Sequence, residues 1–178
     1  MLFLSKGGIL TKNDIFGGIM RDLYIKQHIF SWSDRFSVYD EEGAPCYQVG
    51  GEVFSFGKKL HIYDMTGEEL VFVSQKLLTF LPKYEISRNG TLVAEVVKKF
   101  TFFKQEYTVD ALNWQVHGDF FAHEYTVMQG ERLIAHVSRE WFTLGDAYRI
   151  HFATEADETL VLAICLIIDA CIEEARDD

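Results

Sequence analysis

Leu160 to Ile168 reads Leu-Val-Leu-Ala-Ile-Cys-Leu-Ile-Ile, an uninterrupted apolar run near the end of a chain that otherwise alternates. Wound at about 3.6 residues per turn, such a run has no polar face, so a helix here must be surrounded by protein or by lipid. Length decides between the two. From Thr159 to the residue before Asp169 the helix would rise about 15 Å, whereas a bilayer core is about 30 Å thick and needs roughly 20 apolar residues. The run therefore predicts a buried helix near residues 157–174. Thr154, with Asp157 three residues on, suggests a capping arrangement, and Glu155, Asp157 and Glu158 place negative charge at the positive end of the helix dipole.

With 178 residues, 48% of them hydrophobic and only two prolines, the chain fits one domain with a sizeable core. The regular pattern opens at Met20, so residues 20–178 are read as that domain and 1–19 as a leader. Gly17-Gly18-Ile19-Met20 is compatible with a purine-rich ribosome site ahead of a start codon, which places the native start at Met20; the rival reading is an extra strand or a degenerate signal segment. The formal charge of -10 argues against nucleic acid as a partner and against nonspecific adhesion to anionic membranes. Three cysteines, Cys46, Cys165 and Cys171, cannot all pair within one chain, and two lie on the buried helix, which points to reduced thiols and a cytoplasmic protein.

Between the leader and the helix a motif recurs about every 24 residues: Phe36-Ser37-Val38, Leu60-His61-Ile62, Tyr84-Glu85-Ile86, Tyr107-Thr108-Val109, Tyr125-Thr126-Val127 and Tyr148-Arg149-Ile150. Alternation of this kind is a half-buried strand. Ahead of most copies stands an apolar–hydroxyl–apolar triplet (Phe30-Ser31-Trp32, Phe54-Ser55-Phe56, Leu78-Thr79-Phe80, Phe100-Thr101-Phe102, Phe142-Thr143-Leu144), read as a second strand signature. Behind several stands a glycine turn, of which Asn89-Gly90 is the most specific. A dozen or so short antiparallel strands form a sandwich or a barrel. A barrel wide enough to hold a helix would supply the container that Leu160 to Ile168 requires.

The wording of these repeats closely resembles the LURP-one-related family: Ile25-Lys26-Gln27-His28-Ile29-Phe30-Ser31-Trp32, Val38-Tyr39-Asp40-Glu41, Phe54-Ser55-Phe56-Gly57, Gln75-Lys76-Leu77-Leu78, Pro82-Lys83-Tyr84-Glu85-Ile86 and Lys98-Lys99-Phe100-Thr101-Phe102-Phe103-Lys104 stand in the family's order, followed by Gly118-Asp119-Phe120 and Trp141-Phe142. The resemblance implies a closed antiparallel barrel of about twelve strands around a hydrophobic C-terminal helix, the architecture shared with tubby C-terminal domains and phospholipid scramblases. It carries no active-site motif across, and fold alone does not establish function.

No constellation here has catalytic, cofactor or metal character. Six histidines raise the question of a metal, but the closest pair, His117 and His123, matches no ligand spacing, and His61 and His151 are read as surface or satisfied residues. Asp34, Asp40, Asp64, Asp110, Asp119 and Asp146 fall near turns, where aspartate ordinarily bonds its own backbone. Asp169 is expected to mark a barrel mouth; buried, it would instead become a functional candidate. Trp32, Trp114 and Trp141 are expected in the core. Lys76, Lys83, Lys98, Lys99 and Lys104, with Lys58 and Lys59, flank aromatic strands and form the candidate site for an anionic lipid headgroup, weighed against a simple role in protecting strand edges.

The expectation is thus a non-enzymatic binding or scaffold domain with a plugged lumen, engaging an unidentified protein partner through its outer surface. The alternative is a peripheral module for anionic, phosphoinositide-type lipid at the membrane. A third reading is an enzyme using a rim cleft.

Overall fold

A computed structural model of the chain describes residues 4–5, 8–9, 20–26, 35–52, 55–99, 106–142, 145–154 and 156–177. A two-stranded sheet of β1 (Leu4–Ser5) and β2 (Gly8–Ile9) precedes the main body. Most of the leader, and with it the question of the start at Met20, lies outside the described residues.

The body is a closed antiparallel barrel of twelve strands: β3 (Met20–Lys26), β4 (Arg35–Tyr39), β5 (Pro45–Gly51), β6 (Lys59–Tyr63), β7 (Glu69–Gln75), β8 (Lys83–Arg88), β9 (Thr91–Lys99), β10 (Glu106–Asp110), β11 (Trp114–Asp119), β12 (Glu124–Gln129), β13 (Arg132–Phe142) and β14 (Gly145–Ala153). Neighbours in sequence are neighbours in the wall, and β14 closes the ring by pairing with β3, Ala153 opposite Met20 and Ala147 opposite Lys26. On the outside of that seam Asp22 accepts from Arg149 Nε at 2.8 Å and lies 2.5 Å from His151 Nδ1. Burial alone would raise the Asp22 carboxyl, but these two partners hold it below the usual carboxylate range.

The recurring motif is the set of even-numbered strands. Its first residue (Phe36, Leu60, Tyr84, Tyr107, Tyr125, Tyr148) and its third (Val38, Ile62, Ile86, Val109, Val127, Ile150) are buried, while the middle residue faces outward, as a period of two requires. In four of the six copies the register shifts just after the third residue, at Val38/Tyr39, Ile62/Tyr63, Ile86/Ser87 and Val127/Met128. A bulge at the same level of alternate strands adds twist and curvature where a flat sheet must close on itself.

Helix α1 (Glu158–Asp177) fills the barrel: every residue from Leu160 to Ile172 is buried, on all faces of the helix. Its cap is Asp157 rather than Thr154. Asp157 Oδ1 accepts from Leu160 N at 3.2 Å, its carbonyl accepts from Val161 N at 2.9 Å, and Arg88 clamps both carboxylate oxygens from the wall. No helix among the described residues is long and apolar enough to cross a membrane.

The even-to-odd turns at the end where α1 enters are short and polar. Asp40 Oδ1 accepts from the backbone of Glu42 and Ala44, and Asp64 Oδ1 from that of Thr66 and Glu68. At the opposite end, where α1 leaves, the connections run from odd to even strands, and those from β5 to β6 and from β7 to β8 are longer. Leu78-Thr79-Phe80 lies there, in the turn between β7 and β8, and Ser55 and Phe56 lie between β5 and β6. Leu78-Thr79-Phe80 and the described part of Phe54-Ser55-Phe56, read from sequence as strands, are therefore connections at this rim, whereas Phe142 of the last triplet ends β13. Phe30-Ser31-Trp32 and Phe100-Thr101-Phe102 lie outside the described residues.

Candidate binding rim

Antiparallel order places the ends of β5, β7, β9 and β11 and the starts of β6, β8, β10 and β12 at the helix-exit rim. The exposed large apolar side chains gather there. Phe56 is 90% exposed, Leu78 105% and Phe80 95%, with Leu77 and Phe121 half open; among the described residues only Met65 and Leu92 stand towards the other end. Gly57, at φ +79°, lets the β5–β6 connection close onto the β7–β8 turn, since a Cβ there would fall 3.0 Å from Leu77 Cδ2. Leu78 itself adopts φ +62°, a left-handed conformation that leucine rarely takes.

Every lysine among the described residues sits at or next to a strand end on this same rim: Lys26, Lys58, Lys59, Lys76, Lys83, Lys98 and Lys99. Lys59 pairs with Glu52 at 2.9 Å, Lys76 with Glu85 at 2.7 Å and Lys83 with Glu95 at 2.9 Å, all on the outer wall. The hydrogen bond that Lys76 donates to Glu85 raises its ammonium above the ordinary lysine range, so it stays charged. Lys58 differs: its Nζ donates to Ala170 O at 3.1 Å and lies 3.5 Å from Glu174 Oε1, tying the rim to the end of α1. Lys98 continues the inward series Ala94 and Val96, close enough to the helix end to act on the Cys171 thiol. Lys104 lies outside the described residues.

Beneath the rim the tyrosines of alternate strands meet polar groups of α1. Tyr84 Oη lies 3.4 Å from Glu174 Oε1, Tyr107 bonds Cys171, and Tyr125 bonds Cys165. Tyr148 Oη lies 3.1 Å from His123 Nε2, and His123 Nδ1 lies 3.4 Å from Asp169 Oδ1. Burial drives the Tyr84, Tyr107 and Tyr125 hydroxyls and the Cys165 thiol far up, and pushes Cys171 up to about 12, so these groups stay protonated at neutral pH.

The sequence carries the same identity as the architecture. The family model described as LURP-one-related matches residues 21–169. The chain belongs to the LURP-one-related family. A LURP-one-related barrel of this kind is similar to YxjI of Bacillus subtilis (strain 168), a protein described as uncharacterized, at 37% identity over 159 residues, covering 89% of this chain and 98% of that one. An X-ray structure of an Arabidopsis thaliana protein shares the fold with a TM-score of 0.63 at 16% identity, over 92% of this chain and 98% of that one.

Within this LURP-one-related barrel the sequence-read residues separate clearly. Asp169 does not mark an open mouth; it is 6% exposed, seated against His123. His61 lies in a strand, between Glu69 at 2.5 Å and Glu52 at 3.2 Å, with its ring stacked on Tyr63 and tilted against Phe72. Asp40, Asp64 and Asp119 bond the backbone of their own turns, and Trp114 is buried. Among the described residues no three His, Cys, Asp or Glu side chains gather to hold a metal ion. A recess of about 390 Å³ on the outer wall, lined by Arg35, Gln48, Tyr63, Asp64 and Thr66, lies away from both the lysine cluster and the buried histidine. Sequence reasoning missed Phe56, Leu78 and Phe80 as a surface, because an aromatic triplet reads as strand interior until its strand's end is known.

Proposed function

We propose that this protein is a non-enzymatic binding or scaffold module whose working face is the helix-exit rim. The observation that carries the reading is the segregation of exposed apolar side chains: Phe56, Leu78 and Phe80 lie nearly bare at one end of a barrel whose interior is occupied by its own helix. Large apolar exposure concentrated in one region marks an interaction site. The interior favours binding over chemistry, since Cys165 and Cys171 are buried among apolar side chains and held as thiols, and a thiol rather than a thiolate is a poor nucleophile.

A photo-crosslinking amino acid at Phe80, compared in living cells with the same group at Met65 on the opposite end, tests the reading. Adducts well above the Met65 control are expected from Phe80. Equal yields from the two ends would overturn the assignment of the rim as the working face.

A further inference from the structure

We propose that the outer-wall recess between β4 and the β6–β7 turn binds a small zwitterion, an α-amino acid with an apolar side chain, its carboxylate on Arg35 and its ammonium on Asp64. The site is separate from the exit rim and goes beyond the reading of that rim as a binding face.

Three features of the recess select this ligand. The first is a guanidinium without an anion. Arg21, Arg88 and Arg149 each grip a carboxylate, on Glu158, Asp157 and Asp22, whereas Arg35 has no such partner among the described residues. Its stem is nevertheless placed. Arg35 stands opposite Gly50 on β5, and its Cγ passes 3.3 Å from where a Gly50 Cβ would stand, so the glycine lets the arginine lie against the sheet.

The second feature is a fixed anion in the same recess. Arg35 and Asp64 both line this volume of about 390 Å³, yet they form no ion pair with one another. Asp64 Oδ1 accepts from the Thr66 hydroxyl at 2.7 Å and from the amides of Thr66 and Glu68 at 2.9 Å each. These bonds hold its carboxyl below the usual carboxylate range, and all three end on Oδ1, leaving Oδ2 for a further donor. A simple anion would meet Asp64 and a simple cation would meet Arg35. A ligand carrying both charges satisfies the two.

The third is the neutral lining. The Tyr63 ring is backed by His61, 15° from parallel with centroids 5.8 Å apart, and forms an apolar side together with Met65. Gln48 Nε2 donates to Ser37 Oγ at 2.7 Å, which turns its carbonyl oxygen into the acceptor the recess offers an ammonium. Apolar walls with a few placed polar groups are the usual make-up of a small-molecule site.

Isothermal titration of the full chain with L-phenylalanine, 3-phenylpropionate and 2-phenylethylamine, which share a ring and differ in charge, tests the proposal. Saturable binding of L-phenylalanine is expected, with each singly charged analogue weaker by at least about tenfold. Arg35→Gln is expected to weaken L-phenylalanine by at least about tenfold and to leave 2-phenylethylamine as in the parent. Asp64→Asn, which keeps the side-chain bonds of the turn, is expected to weaken L-phenylalanine equally and to spare 3-phenylpropionate. The analogues on the parent chain make the same comparison without any substitution. No saturable binding of L-phenylalanine, equal affinity for the three ligands, or affinity unchanged in either variant overturns the proposal. Phe56→Ser/Leu78→Asn/Phe80→Ser is expected to leave the titration unchanged; a loss there would place the ligand on the exit rim and overturn the recess. A small ligand beside Met65 yields no protein adduct, so failure here leaves the crosslinking comparison at Phe80 intact as the test of the rim.

Discussion

Leu78 and Gly118 lie on the same rim and illustrate opposite uses of unusual backbone. Leu78 holds positive φ without needing its side chain for the fold, as it makes almost no contact with the body. Leu78→Asn is therefore expected to leave the protein at least as stable, with a gain of about 0.5–1 kcal/mol from relief of the left-handed conformation, measured as a rise in the urea midpoint. Gly118, at φ +150° on β11, is different because its missing Cβ is the point. A methyl there would fall 2.3 Å from Glu124 O and 2.5 Å from Tyr125 Cα, and backbone cannot yield as a side-chain tip can. Gly118→Ala is expected to cost about 3 kcal/mol in the same measurement, since it forces β11 and β12 apart above the buried Tyr125. A loss below about 0.5 kcal/mol, the range of ordinary surface changes, would show that the two strands can separate freely.

At the level of elements, the even strands were legible because one constraint, an inward first and third residue, repeats six times with the same spacing. The helix was legible because only enclosure tolerates Leu160 to Ile168. The rim was not, since Leu78-Thr79-Phe80 has strand composition and only the register of β7 with β8, ending at Gln75 opposite Tyr84, reveals it as a turn. Tyr148, His123 and Asp169 were equally hidden, being brought together from β14, the β11–β12 turn and α1 with no local signature linking them. The helix cap is the element on which acidity acts. Burial would raise the Asp157 carboxyl, yet the Arg88 hydrogen bonds and the Leu160 amide hold it below its ordinary value. A depressed folded value contributes stability that is complete above the unfolded value, about 3.9, and disappears as pH falls through the folded one. Arg88→Ala is therefore expected to lower the thermal midpoint at neutral pH, with the difference from the parent shrinking progressively below about pH 4. A difference that stays constant down to acid unfolding would assign Arg88 a role in packing alone.

For the molecule as a whole, the order of the chain and the order of construction are in tension. The wall closes only when β14 reaches β3, pairing residues as distant as Met20 and Ala153, and the segment that fills the lumen follows after the last strand. Until α1 is present, the inward faces of twelve strands surround an empty apolar volume, which close packing does not permit. Each buried aliphatic side chain of α1 contributes about 1.5–3 kcal/mol, so the run from Leu160 to Ile172 together outweighs the whole net stability of a typical domain, about 5–15 kcal/mol. Barrel and helix are accordingly one cooperative unit, and the same coupling extends to the rim, where Lys58 bonds Ala170 and Gln75 bonds Glu174 at 2.8 Å. A chain ending at Ala156 is expected to show no cooperative thermal transition and to bind a hydrophobic dye, whereas tryptophan fluorescence and far-ultraviolet dichroism of the full chain should report a single coincident midpoint. A truncated chain that melts cooperatively would mean that the wall can close and pack on itself, and that the helix is a guest in the barrel instead of its core.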